Sequence, residues 1–562
     1  MKVSLKEWTK SGEPWVWLNA GAVAICMIMV VGLLSLIAVR GLGHFWPANV
    51  YQADLVENGN SLRLAGELVD SENVPADQLR DSGVAVPDGV EFMQRDLLKI
   101  GNRDVGGSDF IWVLDDFLEN RSQPEMLLVA ERREWGNFYG YLRSLKENGQ
   151  VVASYDGYDK NAEYMALWNK FQASIDRALE LHEEIVDIEK HEIGAINYEL
   201  ERLRLKERSL QLKEVTDQSR YAEIDQRRKE LDAEYEVLQK NLLDLYTEFN
   251  RDSFTAETAG GKTIEVGVSK VVRAFLPNNM GIGAKIGHYF AKIWEFMPED
   301  PREANTEGGI FPAIFGTVMM VILMSVMVTP FGVVAAVYLR EYAKQGFVTR
   351  LIRIAVNNLA GVPSIVYGVF GLGFFVYFLG GHIDDAFFPE AKPAPTFGTP
   401  GLMWASLTLA LLTVPVVIVA TEEGLSRIPR AVREGSLALG ATKAETLWKV
   451  VLPMASPAMM TGVILAIARA AGEVAPLMLV GVVKLAPSLP LDGNYPYLHL
   501  DQKFMHLGFH IYDVGFQSPN VEAARPLVYA TALLLVIVIA LLNMSAIAIR
   551  NHLREKYKAL EM

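Results

Sequence analysis

The chain has 562 residues, 51% of them hydrophobic and 21% charged, with 53 Lys and Arg against 67 Asp and Glu for a formal net charge of −14. A mean hydropathy of +0.17 in so charged a chain means that apolar and charged residues are segregated into blocks, which excludes an ordinary single soluble domain. Most of the acidic surplus falls between residues 40 and 308, so nothing calls for a nucleic-acid partner, and the one cysteine, Cys26, excludes an intrachain disulfide.

Six apolar runs are long enough to cross about 30 Å of hydrocarbon as helices of roughly 20 residues; they lie at 15–39, 309–338, 355–380, 401–421, 457–484 and 526–548. The first has too long an apolar core, and no small-residue cleavage site, for a removable signal, so it is expected to remain as an anchor. Basic residues mark the cytoplasmic side: Lys2, Lys6 and Lys10 precede the first run, Arg340, Lys344, Arg350 and Arg353 follow the second, Arg427, Arg430 and Arg433 follow the fourth, and Arg550 and Lys556 stand in the tail. The connectors at 381–400 and 485–525 carry Asp384, Asp385, Asp492, Asp501 and Asp513 instead. Both termini are therefore expected in the cytoplasm, with residues 40–308 on the opposite side of the membrane.

That insert opens with short β-rich runs, SLRLAGELV, EFMQRDLLKI, DFIWVLDDF and EMLLVAERREW, and then changes period. Ile224, Leu231, Tyr235, Leu238, Leu242, Leu245 and Phe249 keep a 3–4 spacing with one skipped place at Arg228, and Ile196, Leu200, Leu203 and Leu210 do the same on the other side of KEVTDQSR, which predicts an antiparallel helical coiled-coil hairpin within about 162–249. The stretch TIEVGVSKVVRAFLP is expected to return to the β unit, and residues 281–297 form an amphipathic helix suited to the membrane surface.

The cytoplasmic connector REGSLALGATKAETLWKVVLPMASP, residues 433–457, places Glu434, Gly440, Leu447, Leu452 and Pro453 at the turning points of a short helix. Gly440 can end one helix and Pro453 can begin the next segment, leaving Leu437, Leu439 and Leu447 for a groove on another protein. An amphipathic connector with no partner explains the same pattern. Within the fifth apolar run, Arg469 and Glu473 stand four residues apart, a spacing that puts both on one helix face. Charges at membrane depth normally pair and face a bundle interior or a watery path, though a buried pair that only fixes packing fits as well. Ser364, Tyr367, Asn357 and Asn358 add polar groups nearby, and Glu422 and Glu423 are expected to pair with Arg427 or Arg430.

The pattern Glu-x5-Gly-x9-hydrophobic-x-Leu-Pro resembles the loop by which inner-membrane subunits of ABC importers dock on their ATPase, with Gly435 and Ser436 in place of the two alanines usual there. With GGIFPAIFGTV, GVPSIVYGVFGLG, TVPVVIVATEEGLSRIPRAVREG and GVILAIARAAGEVAPLML, the region from about 275 to the C-terminus resembles the PstA family of phosphate-importer permeases. Val474 departs from it where threonine is expected, and the insert at 40–270 has no counterpart in compact members.

The resemblance implies an all-α polytopic membrane bundle of six transmembrane helices, of the MetI-like ABC permease type, to which the residues themselves add an α+β insert on the periplasmic side. Its divisions are 1–39, 40–308, 309–548 with the coupling loop 433–457, and 549–562. It also implies a PstC-like permease, a PstB-like ATPase dimer that binds the ATP, and a periplasmic phosphate-binding protein, with no enzymatic activity, metal or cofactor on this chain. In that setting Arg469 would meet phosphate in transit while Glu473 holds the guanidinium between ions. A permease for sulfate or molybdate, and a membrane-anchored scaffold or signalling protein working through its hairpin, are the competing readings.

Overall fold

In the computed structural model residues 11–557 are described, apart from 58–59, 82–85, 87–88 and 519–520; Lys2, Lys6 and Lys10 lie outside the described residues. The first helix, α1 (Glu13–Gly43), runs past residue 39, and of its residues only Gly41 is buried. A helix apolar on every side with no protein around it is built for lipid. Gly41 is where it touches the last span, because a Cβ there would meet the Tyr529 carbonyl at 2.8 Å.

The insert holds two antiparallel sheets. Strands β1 (Val50–Glu57), β2 (Asn60–Pro75), β3 (Phe92–Lys99), β4 (Phe110–Leu114) and β5 (Leu118–Ser122) form one in the order β4-β3-β2-β1-β5. Strands β6 (Leu128–Arg132), β7 (Phe138–Glu147), β8 (Gln150–Ser154), β9 (Asp252–Glu257), β10 (Thr263–Gly267) and β11 (Val271–Phe275) form the other in the order β10-β9-β7-β6-β11, with β8 on β7. Strand β11 closes the unit by pairing with β6, Phe275 opposite Val129.

Between β8 and β9 the chain leaves as α2 (Ala162–Asp187), passes through a π-helical turn at Ile188–Ile193 into α3 (Gly194–Leu212), and returns as α4 (Gln218–Phe249). Glu214 takes the left-handed backbone (φ 53°) that reverses the direction, and the Asp217 side chain caps α4 by accepting from the Ser219 amide. Cross-links run in opposite chain order, Glu207 to Arg228 at 2.8 Å, Glu199 to Arg227 at 2.9 Å and Arg177 to Glu248 at 3.1 Å, so the two arms are antiparallel. The base of the hairpin is anchored by apolar burial: Phe171 of α2 lies 4.8 Å from the Phe254 ring of β9, and both are fully buried. Helix α5 (Ile282–Phe296) exposes Ile282, Ile286, Phe290 and Trp294 at four-residue spacing, while its other face bonds the insert through Lys292 to Glu131 and Glu295 to Arg273.

Among the described residues six helices are long and apolar enough to cross a membrane: Glu13–Gly43, Phe311–Tyr342, Ser364–Phe387, Leu402–Arg427, Lys443–Ala470 and Ala524–Lys556. The bundle is built from α6 (Phe311–Val337), α7 (Phe347–Leu359), α8 (Ser364–Phe370), α9 (Leu402–Arg427), α10 (Arg430–Ala438), α11 (Lys443–Thr446), α12 (Leu452–Ala470), α13 (Ala475–Val480) and α14 (Val521–Tyr557), with α9 at its centre between α6 and α12. Small residues let backbones approach, as membrane helices require where lipid gives no hydrophobic drive: a Cβ on Gly424 would meet that of Ala458 at 2.5 Å, and one on Gly462 that of Ala420 at 2.7 Å.

Two apolar runs are not the continuous helices expected of them. The run at 355–380 is split at Gly361-Val362-Pro363, where proline lacks the amide a helix needs and disfavours a helical residue before it; Asn357 and Asn358 therefore belong to α7, outside the third span, and both are exposed. The run at 457–484 is displaced. Its helix starts at Lys443, because Leu447, Val451 and Ala455 bury a seam against Leu425 and Ile428, and it ends at Ala470.

Candidate functional site

The connector that carries Glu434 and Gly440 folds into two helices at an angle. Helix α10 stops at Gly440, whose φ of +89° is a left-handed value that glycine adopts without strain. Helix α11 then starts on a capping box in which Thr442 and Glu445 satisfy each other's backbone amides. It continues through a π turn at Leu447–Val451 into α12, so this helix is the beginning of the fifth span. Movement at the connector is thereby movement of the span.

Glu434 is exposed, Leu437 and Leu439 are 47% and 90% exposed, and Trp448 is 72% exposed. Leu447 is not available to a partner as expected: it is 3% exposed, in the seam with Leu425 and Val451. The reason is helical phase: Leu447 shares a face with Val451 four residues on, both buried with Leu425, and Trp448, one residue round the axis, is left on the surface. Leu452 and Pro453 are half-buried at the start of α12.

Sequence reasoning treated Arg433 only as a topology marker. The structure makes it a latch. Its guanidinium donates to the Ile428 carbonyl at 2.8 Å and the Leu425 carbonyl at 2.7 Å, the unpaired end of α9, and reaches the Glu341 carboxylate at 3.0 Å. Lys443 joins the same corner by donating to the Glu341 carbonyl at 2.5 Å. One arginine thus ties α10 to the ends of two spans. Arg433→Ala leaves Glu341 and two carbonyls short of donors, a loss of ~2 kcal/mol for a largely buried charge-assisted cluster; a lowered thermal unfolding midpoint of the purified chain, with Arg433→Lys in between, is the expected result. Glu422 likewise turns from the expected Arg427 or Arg430 to Arg353 of α7 at 3.4 Å, while Glu423 keeps Arg427 at 3.9 Å.

Arg469 and Glu473 do face each other, Nε to Oε1 at 3.6 Å, but not on one helix. Helix α12 ends at Ala470, Gly472 follows, and α13 begins at Ala475 with Pro476 in its first turn. Glu473 therefore stands in the break. Its partner is on the last turn of α12, and the side chains are 30% and 20% exposed in the isolated chain, so the pair is not sealed in dry packing.

A second break meets this one. A Cβ on Gly368 of α8 would lie 2.6 Å from Pro476 Cα, so the helix restarting after Pro363 packs directly on the helix restarting after Glu473. Tyr367, 4% exposed, donates to the Leu359 carbonyl at 2.6 Å across the first break and lies within electrostatic reach of Arg469. Irregular backbone at membrane depth is tolerated where protein covers it or where it lines a water-filled cavity, and interrupted helices carry binding sites in many transporters. Gly361, Pro363, Gly472 and Pro476 were the available sequence signal. Val474 packs its Cγ2 against Gly508.

A family model for the inner membrane component of binding-protein-dependent transport systems matches residues 328–559, which contain the connector, both breaks and the ion pair. The phosphate transport system permease protein PstA 1 of Mycobacterium tuberculosis (strain CDC 1551 / Oshkosh) is 36% identical over 247 residues, 43% of this chain and 71% of that protein. PstA of Mycobacterium leprae is 36% identical over 256 residues, 45% and 73% of the two chains. A probable PstA of Methanocaldococcus jannaschii is 31% identical over 240 residues, 42% and 74%. With a bundle of six candidate spans and matches that cover more than two thirds of these relatives, the chain belongs to the PstA family of ABC-importer permeases.

Proposed function

We propose that this chain is the permease subunit of an ATP-driven inorganic phosphate importer, forming half of the translocation path. The observation that carries the substrate is the Arg469–Glu473 pair at the junction of two broken helices, in a family whose named relatives are phosphate transport permeases. Arginine presents a planar fork of donors to phosphate oxygens, and Glu473 takes the guanidinium back when the ion leaves, so neither charge is left bare. The chain works beside a PstC-like permease and on a PstB-like ATPase dimer, which hydrolyses the ATP and pushes on Glu434, Leu439 and Trp448; a periplasmic binding protein delivers the ion. Both termini are cytoplasmic. Residues 40–308 stand in the periplasm, with the 162–249 hairpin as a coiled coil and α5 lying on the membrane surface, its exposed apolar stripe in the lipid.

Uptake of labelled phosphate by the reconstituted complex is the test. Unlabelled phosphate in tenfold excess is expected to suppress it about tenfold, while equal concentrations of sulfate or molybdate leave it within twofold. Equal suppression by sulfate would reject the phosphate assignment.

A further inference from the structure

Apart from the ion pair, the molecule holds a cavity of about 720 Å³ where the insert meets the membrane bundle, within the ~300–1,000 Å³ usual for small-molecule sites. It is lined by the last turns of α1, at Arg40, by the first turns of α14, at Arg525 and Tyr529, and by the insert, at Glu67 and Lys99. Two candidate spans end there, which sets the cavity at headgroup depth. Trp46, which also lines the cavity, lies 5.8 Å from Tyr289 with the rings tilted at 58°, and aromatic residues of this kind gather at membrane interfaces. The exposed stripe of α5, from Ile282 to Trp294, would dip into lipid beside it.

The lining carries both signs, and several charges lack a partner. Lys99 reaches Glu307 at 3.5 Å and Arg525 reaches Asp70 at only 4.0 Å. Among the described residues Arg40 has no carboxylate within 4.0 Å and lies 5.8 Å over the Tyr529 ring, and the buried Arg302 Nε has no hydrogen-bond acceptor. On the acidic side Glu67 accepts from the Tyr139 hydroxyl at 2.8 Å, and among the described residues neither Glu67 nor Glu299 has a cation within 4.0 Å. Burial pushes both of these carboxyls above their ordinary value, whereas Glu131, bonded to Lys292 on the same wall, is held down to about 2 against the opposing effect of burial. Unmatched groups of both signs ask for a ligand with both. Lys99 and Arg302 act on Glu67 and Glu299 only from beyond ion-pair distance, so an anion alone leaves both carboxyls, and a cation alone leaves Arg40 and Arg302, without a contacting partner of opposite charge.

We propose that this cavity binds the headgroup of a zwitterionic phospholipid, with Arg40 and Arg302 on its phosphodiester and Glu67 and Glu299 on its ammonium. The lipid would then fasten the insert to the membrane at the junction of the first and last spans, independently of what the permease transports.

Native mass spectrometry of the full complex, titrated with phosphatidylethanolamine, phosphatidylglycerol or inorganic phosphate, tests this. The expected result is phosphatidylethanolamine retained at least fivefold over phosphatidylglycerol at equal mole fraction, the preference disappearing in Arg40→Ala and in Glu299→Gln. Arg40 is exposed and Glu299→Gln is isosteric, so both variants are expected to fold, and an unchanged thermal midpoint checks that they do. Equal retention of the two lipids, a preference unchanged in both folded variants, or inorganic phosphate excluding phosphatidylethanolamine would each overturn the proposal.

Discussion

Arg469→Met is expected to lower phosphate uptake by the reconstituted complex by about two orders of magnitude. A phosphate held by a guanidinium loses two charge-assisted hydrogen bonds in the variant, each worth at least ~1.5 kcal/mol, and ~3 kcal/mol corresponds to roughly a hundredfold. The same substitution strands Glu473, which is only 20% exposed, so some of the loss would come from an uncompensated charge. Arg469→Met combined with Glu473→Gln separates the two causes. A pair that serves only packing predicts that the double variant recovers both thermal stability and uptake; a pair that serves the ion predicts recovered stability and uptake still near the background. Undiminished uptake in Arg469→Met alone would remove the pathway role.

The second large effect is expected at the cytoplasmic corner. Leu439→Asp with Trp448→Asp is predicted to reduce co-purification of the ATPase at least thirtyfold, since an aromatic anchor buried in a protein groove commonly carries ~2 kcal/mol or more. Both side chains are exposed in the isolated chain, so the variant keeps the permease's own unfolding midpoint. Leu447→Asp is the contrasting control. It puts a charge into the seam with Leu425 and Val451 and is expected to lower the midpoint itself. If the ATPase stays bound at wild-type level to the Leu439→Asp/Trp448→Asp variant, the docking surface lies elsewhere.

The contrast between Leu447 and Trp448 shows where a linear pattern stops being informative. A heptad-like count can rank apolar residues but cannot say which face the tertiary packing covers: Leu447 and Val451 meet Leu425, and Trp448 is left outside. Arg433 was legible only as a positive charge, because its three acceptors come from Leu425, Ile428 and Glu341, and a hydrogen-bond partner 92 residues away leaves no mark on the spacing around it. Glu422 chose Arg353 over its sequence neighbours for the same reason.

The six apolar blocks, the change of period within the insert and the presence of charges inside an apolar run follow from the sequence alone, since hydrophobic length and periodicity are properties of consecutive residues. The breaks at Gly361–Pro363 and around Gly472 could be suspected from glycine and proline, but their meeting, with Pro476 against Gly368, was decided by the tertiary structure. So was the mixed-charge cavity, whose walls come from α1, the first sheet, α5 and α14. Local sequence fixes which segments must leave water; only the packing of distant segments determines which charges then find a partner and which are left waiting for a ligand.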